Sequence, residues 1–435
     1  MKKYFTDTIQ LYKVIIVTAV IRTVTACFAS FYNEITYYAI FLGYCDILIF
    51  IAAGIMLGQG IYFSKKRYCL YLAFPVWLLI TFMLRGEFDI TFSVNRAHFL
   101  ILCISCAVLL PLSEMLGDVE RQKILAAVIV FCAAVMCVFL RLAFTALARG
   151  ENISLLGNRF VFGATYTYTH RMQLQIMNLH YYHTGYYSAV LFFGILYVAS
   201  VYWKGILKSV WLIMLLTLAA GVFATYSRTA VLSFVAGCLL VIFFTIHKRI
   251  KNRTVKILSC TAAAAVALPL TVMVMNRIYA AVNSIRDMWY GIATLSSRTT
   301  IWSSVIPLIK DHPHILVYGL PLRNAMDTVN IYLQDLDYIS HMHSSYLQTL
   351  LHLGLPGLAM VVAFLIYLSS CIVTVLKNQP DYSMVFLCIV PVVMIVIGCL
   401  ESSFIFNHYN MELMNLIFAL VCGYIIEYAD RLTKN

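Results

Sequence analysis

Apolar runs long enough to cross a bilayer recur from one end of the chain to the other, and no other feature limits the fold as much. A crossing needs about 20 apolar residues at about 1.5 Å each, because the hydrocarbon core is roughly 30 Å thick and holds no water to bond a bare backbone. Such runs fall near residues 12–31, 37–62, 68–84, 97–112, 122–147, 186–203, 209–226, 229–246, 254–275, 344–375, 382–400 and 411–428. The pattern predicts an all-α polytopic membrane protein of about twelve transmembrane helices. No internal repeat or low-complexity linker divides it, so residues 1–435 read as a single membrane domain. With 62% hydrophobic and 11% charged residues, a soluble globule is excluded. Met1-Lys2-Lys3-Tyr4 leads into the first run without a small-residue cleavage site, which reads as a retained first helix. All 13 cysteines fall in or beside apolar runs, as buried free thiols do.

Alternating the helices sorts the basic residues by type. One side collects the amino terminus, Lys65-Lys66-Arg67, Arg121, Lys123, Lys204, Lys208, the run from Lys248 to Lys256, Lys377, Arg431 and Lys434. The positive-inside rule makes that side cytoplasmic, with both termini, in a multi-pass protein of the cell membrane. It also accounts for the net charge of +12 without a nucleic-acid partner. The other side keeps Arg85, Arg96, Arg149, Arg159, Arg171, Arg228, Arg277, Arg286, Arg298 and Arg323, with Lys310 as its lysine. Guanidinium forks grip phosphate oxygens in a bidentate way that a lysine cannot, so this face suits a phosphate-bearing ligand. The competing use is surface pairing with Glu87, Asp89, Glu151, Asp287, Asp327, Asp335 and Asp337.

Two segments on the arginine side are long, about 148–185 and 276–343. In the second, Ile278, Val282, Ile285, Trp289 and Ile292 recur at helical spacing, as in a helix lying on the membrane surface. Ser296-Ser297 then offers a cap, and Trp302, Val305, Ile306 and Ile309 form the apolar face of a short helix stopped by Pro313. Trp302 would anchor that helix in the interface, with Arg298 on the same face. Within the bilayer, Arg22 and Asp46 sit at matching depth on the first two spans and should pair.

The stretch His341-Met342-His343-Ser344-Ser345-Tyr346-Leu347-Gln348 closes the second long segment and runs straight into Gly354-Leu355-Pro356-Gly357-Leu358. It resembles the "His-Asn-x-Tyr-Leu-Gln…Gly-Leu-x-Gly-Leu" signature of the O-antigen ligase and O-antigen polymerase family. Ser344 stands where Asn is usual, and His352 where Glu is usual. Ser227-Arg228 resembles the "Ser-Arg" that opens the same region of that family. Arg298 to Trp302, then Asp311-His312-Pro313 and Gly319, resembles its "Arg-x-x-x-Trp…Asp-x-Pro…Gly" segment. Arg85-Gly86 looks like a further family position. His180 to Gly185 partly resembles a "His-Pro-Asn-x-x-Gly" element, departing at Tyr181 and Tyr182. The family-like core spans about 209–375, with its extracytoplasmic loop at 276–343.

The resemblance implies a membrane glycosyltransferase. It would move a glycan from a polyprenyl-diphosphate carrier to an acceptor hydroxyl on a glycan or lipid, at the extracytoplasmic face. His343 would be the catalytic base, since imidazole exchanges protons near neutral pH. Arg228, Arg298 and Arg85 would hold the diphosphate. His341, His180, Arg159, Arg171 and Glu401 are further candidates, Glu401 as a second base. No cofactor is expected. No metal is expected either, because no carboxylate cluster with ligand spacing appears on that face. Direct attack on the anomeric carbon would invert it. A transporter or flippase explains the span count equally well but predicts symmetric halves and helices interrupted at mid-depth. A peptidoglycan-polymerising glycosyltransferase would normally have fewer spans and an acidic key residue.

Overall fold

The computed structural model describes residues 13–19, 21, 35–61, 65–87, 94–149, 153–155, 160–166, 172–176, 181–225, 227–250, 298–322, 324–333, 339, 341–378, 381–402 and 412–434. Its long helices are α1 (Ile35–Gly58), α2 (Lys66–Leu84), α3 (Val94–Met115), α4 (Asp118–Arg149), α5 (Tyr181–Tyr202), α6 (Leu207–Ala224) and α7 (Arg228–Arg249). Four short helices follow, α8 (Arg298–Ser303), α9 (Val305–Asp311), α10 (Ile315–Tyr318) and α11 (Ala325–Asn330). Then come α12 (Ser345–Lys377), α13 (Tyr382–Leu400) and α14 (Glu412–Lys434). Among the described residues, seven helices are long and apolar enough to cross a membrane: α2, α4, α5, α6, α7, α12 and α13. The expected polytopic all-α membrane architecture is borne out; the expected run at 254–275 lies outside the described residues.

Helix α5 lies at the centre. It packs on α6, α7 and α13, and its Tyr186, Tyr187, Phe193 and Tyr197 are buried. Helices α12 and α14 close the bundle against α2 and α3. At the lysine-rich end, Arg67 of α2 ties α3 to α14. Arg67 lies 2.6 Å from the Glu114 carboxylate and also pairs with Asp430, while Tyr71 donates to Glu114 at 3.0 Å.

Part of the first long segment is folded. Strands β1 (Ile153–Leu155), β2 (Phe160–Tyr166) and β3 (Met172–Ile176) form an antiparallel sheet in the order β1-β2-β3. Its register sets Phe162 opposite both Ile153 and Ile176. Hydropathy marks this stretch only as a long connection between helices. The run Phe-Val-Phe-Gly-Ala-Thr-Tyr at 160–166 is rich in β-branched and aromatic residues, which favour strands.

In the second long segment, the short helix expected to end at Pro313 is two helices. Helices α8 and α9 are split at Ser304, and α9 ends at Asp311, two residues before Pro313. Their inward face is Ile301, Val305 and Leu308, joined by Ile315, Leu320 and Val329 in a small core of their own. Ile306, read as part of that face, is 62% exposed.

Helix α12 is broken at Gly354, whose φ of 67° and ψ of −170° are not helical. Gly354 is left-handed, and Pro356 lacks the N–H that would have served the His352 carbonyl. Three carbonyls are taken up by other elements instead. Leu351 O accepts the Leu320 N–H at 2.5 Å, His352 O accepts Arg85 Nη1 at 2.6 Å, and Leu353 O accepts Trp77 Nε1 at 2.9 Å. Helix α10 lies directly on this break. A Cβ at Gly354 would sit 2.5 Å from Val317 O, and one at Gly319 (φ 79°) 2.4 Å from the His352 carbonyl carbon. The loop and the broken helix thus meet backbone to backbone.

Candidate active site

The break in α12 aims its first turns at the rim of the bundle. Ser344 caps that half-helix, accepting the Leu347 N–H at 3.5 Å. Serine and asparagine both serve as helix caps, so the departure from Asn leaves the capping role intact. Just before the cap, His343 has φ 49°, the one positive φ outside glycine among the described residues. Left-handed backbone costs a non-glycine residue roughly 1–2 kcal/mol, so neighbouring contacts must enforce it.

Those contacts are visible on both sides of the Met342 peptide group. Gln348 Oε1 accepts the Met342 N–H at 2.9 Å, and Trp302 Nε1 donates to Met342 O at 3.0 Å. Trp302, expected to anchor a helix in the interface, instead fixes the backbone that carries His343. Gln348 is held in turn: its amide donates to His352 Nε2 at 2.6 Å. His352 therefore acts here as an acceptor, a task that the glutamate usual in the family can also perform. Ser345 binds the Glu401 carbonyl through its N–H at 3.2 Å and its hydroxyl at 3.0 Å.

Glu401 follows α13 in extended backbone and is 5% exposed. Its carboxylate is shared. Oε1 receives Arg298 Nη2, and Oε2 lies 3.0 Å from His343 Nδ1. Arg298 Nε also donates to Leu400 O at 2.9 Å. Burial would push the Glu401 carboxyl up; the His343 hydrogen bond and charge, with Arg298 and His341 behind them, outweigh it and hold the group down at about 2. An ionised carboxylate only accepts, so the proton between the two residues sits on Nδ1 and leaves the His343 Nε2 lone pair unprotonated in the neutral ring. Glu401, expected as a second base, is too acidic for that task near neutral pH; here it orients the imidazole. The His341 ring stands 4.1 Å from the His343 ring, centroid to centroid, and His341 Nδ1 accepts the His343 N–H at 3.2 Å.

A second strand of the site comes from α5 and α7. Ser227 caps α7, accepting the Ala230 N–H at 3.3 Å, and Arg228 opens its first turn. Helix N-termini favour anions, so a ligand there meets both the guanidinium and the dipole. Gly185 lets α5 approach this cap: a Cβ would fall 2.6 Å from Thr225 Oγ1 and 2.8 Å from Ala230 Cβ. The next residue, Tyr186, lies against Ser227 and Thr229, which flank Arg228, and in the field of Glu401 and Arg298. The buried Tyr186 phenol thus stands at the α7 cap within electrostatic reach of Glu401 and Arg298.

Of the residues singled out by sequence, His343, His341, Arg298 and Glu401 converge, while Arg228 opens α7 beside the Ser227 cap that Tyr186 lies against. Arg85 does not. Its Nη1 donates to the carbonyls of Tyr318, Leu320 and His352 at 3.1, 2.7 and 2.6 Å, and its Nη2 pairs with Glu87 at 2.7 Å. Glu87 in turn accepts the Leu322 N–H at 2.8 Å. With 2% of its side chain exposed, Arg85 is a clamp on the broken helix and is no longer assigned to the diphosphate. Arg159, Arg171 and His180 lie outside the described residues, as do Arg22, the Asp46 side chain, Arg323 and the amphipathic run at 278–292. Sequence reading missed Tyr186, although it directly follows the Gly185 of a family-like element. Residues 213–362 match the family model described as O-antigen ligase. The resemblance read from the motifs is borne out over that stretch, which includes Arg228, Arg298 and His343 but neither Tyr186 nor Glu401. No curated protein matches the chain.

Proposed function

From the O-antigen ligase match over residues 213–362, we propose that this multi-pass membrane protein transfers a glycan from a polyprenyl-diphosphate carrier to a hydroxyl of an acceptor glycan or lipid. The observation that carries the reading is one cluster, Arg298, Glu401 and His343 in contact, with Tyr186 at the Arg228 helix cap within electrostatic reach of Glu401 and Arg298. The site faces the extracytoplasmic side, because the lysine-rich segments gather at the other end of the bundle.

His343 Nε2 takes the proton of the acceptor hydroxyl, and Glu401 steadies the imidazolium through Nδ1–H. The acceptor oxygen forms its bond to the anomeric carbon as the bond from that carbon to the phosphate oxygen breaks. The electron pair leaves with the diphosphate, whose charge Arg228 and Arg298 offset. A single displacement inverts the anomeric centre. In this step the base is an imidazole and needs no metal ion.

The break in α12 resembles a transporter's interrupted helix, but the Leu351, His352 and Leu353 carbonyls it exposes are all bonded to protein donors. That occupancy favours the enzyme reading over a transporter. The test is replacement of His343, Arg228 and Arg298 by alanine, one at a time, with lipid-linked glycan supplied to membranes holding each variant. Loss of transfer with normal insertion is expected in each. Transfer retained in all three, or a product with a retained anomeric centre, rejects the mechanism.

A further inference from the structure

Linear spacing gave no sign of a metal site, because its third member lies 58 residues beyond His343. The fold brings it back: ligand atoms of His341, His343 and Glu401 all lie within 4.8 Å of one another. We propose that these three residues form a site for a divalent transition ion of the zinc type, and that the ion silences the imidazole when it binds.

Three observations support the site. The donor set is right for zinc: two imidazoles and one carboxylate, which leaves a fourth position for water. Imidazole pairs select such ions over magnesium or calcium, which prefer all-oxygen cages. The spacing is close to what an ion requires. Ligand bonds of about 2.0–2.1 Å in a tetrahedron set neighbouring donor atoms roughly 3.3 Å apart, and His343 Nδ1 already lies 3.0 Å from Glu401 Oε2. An outer shell is in place as well. Arg298 holds the second carboxylate oxygen, and Ser345 holds the Glu401 backbone, so the carboxylate keeps its orientation. The His343 side chain is 29% exposed, which gives an ion a way in.

Inhibition follows from the tautomer, and this part rests on His343 being the base. An ion on Nδ1 displaces the proton there, and the neutral ring then carries its proton on Nε2. A ring in that state has no lone pair for the acceptor hydroxyl. No bond in the substrate changes, and nothing is oxidised or reduced.

The experiment uses the full chain in lipid nanodiscs, freed of any polyhistidine tag and stripped with a chelator. Cobalt(II) is titrated in as a spectroscopic stand-in for zinc. The expected result is a visible ligand-field band that saturates at one ion per chain and is lost in His341→Ala. No band, or a band unchanged in His341→Ala and in Glu401→Gln, overturns the site. In parallel, zinc inhibition of glycan transfer is measured, each protein normalised to its own zinc-free rate. The zinc concentration for half-inhibition should rise at least tenfold in His341→Ala. Cobalt binding with undiminished transfer keeps the site and overturns the silencing, and with it the role of His343 as base.

Discussion

His343 Nδ1 lies 3.0 Å from Glu401 Oε2, and the other oxygen of that carboxylate is held by Arg298. The pair fixes which nitrogen of His343 is available for chemistry. His343→Ala should cost about 10²–10⁴ in transfer rate, the range for a lost general base. Glu401→Gln should cost less, because an amide can still bond Nδ1 but no longer stabilises the imidazolium.

The pH profile separates the two residues. Glu401 is held at about 2, so it stays ionised through any workable assay range, and an acid limb at higher pH cannot be its titration. Glu401→Gln removes the charge that sits against the His343 ring and should displace that limb. Transfer rates measured across pH with a chelator present will check this; a limb that stays in place removes Glu401 from the mechanism.

Arg228 and Arg298 are expected to differ when each is replaced by lysine. Each charged hydrogen bond lost is worth roughly 1.5–3 kcal/mol, or about tenfold to a hundredfold in rate. Arg228→Lys should reduce kcat/KM without moving the pH profile. Arg298→Lys should do both, because Arg298 also binds Glu401. Identical profiles in the two variants would show that Arg298 acts on the donor alone.

Arg85 should behave as part of the scaffold. Arg85→Met leaves Glu87 buried without its partner and uncaps His352 O, a loss of about 3–5 kcal/mol by the usual cost of a half-removed buried pair. Thermal unfolding in detergent should show a clear drop, and adding Glu87→Gln should recover part of it. Unchanged stability with a raised KM for the lipid-linked donor would return Arg85 to the substrate.

Gly319→Ala and Gly354→Ala should both lower the unfolding midpoint and abolish transfer. Each combines a positive φ with a Cβ 2.4–2.5 Å from backbone atoms that cannot swing aside. Gly86→Ala is the control. Its φ is 64°, but nothing lies within 4 Å of the added carbon, so its effect should be the smaller.

Span positions were legible because lipid demands long apolar runs, and helices α4, α12 and α13 fall within a few residues of where hydropathy puts them. His343, Arg228 and Arg298 were legible because a family resemblance covers them. The partner of His343 was only half legible. Glu401 stood out as a carboxylate at a span's end, but its contact with a residue 58 positions earlier comes from packing α13 beside α12, which no local pattern encodes. Arg85 misled for the same reason. An arginine at a helix end reads the same whether it meets phosphate or a neighbour's carbonyls, and the carbonyls of Tyr318, Leu320 and His352 reach Arg85 only through the packing at the α12 break. Trp302 shows the converse: its indole has both an apolar body and a donor, and the donor decided its place.

The glycine pair at 319 and 354 also bears on which parts of the molecule can move. Where helix α10 is seated on α12, main chain rests on main chain with no side chain between them to act as a spacer or bearing. That seam therefore has no side chain to swing aside, and any relative movement of α10 and α12 has to shift main chain.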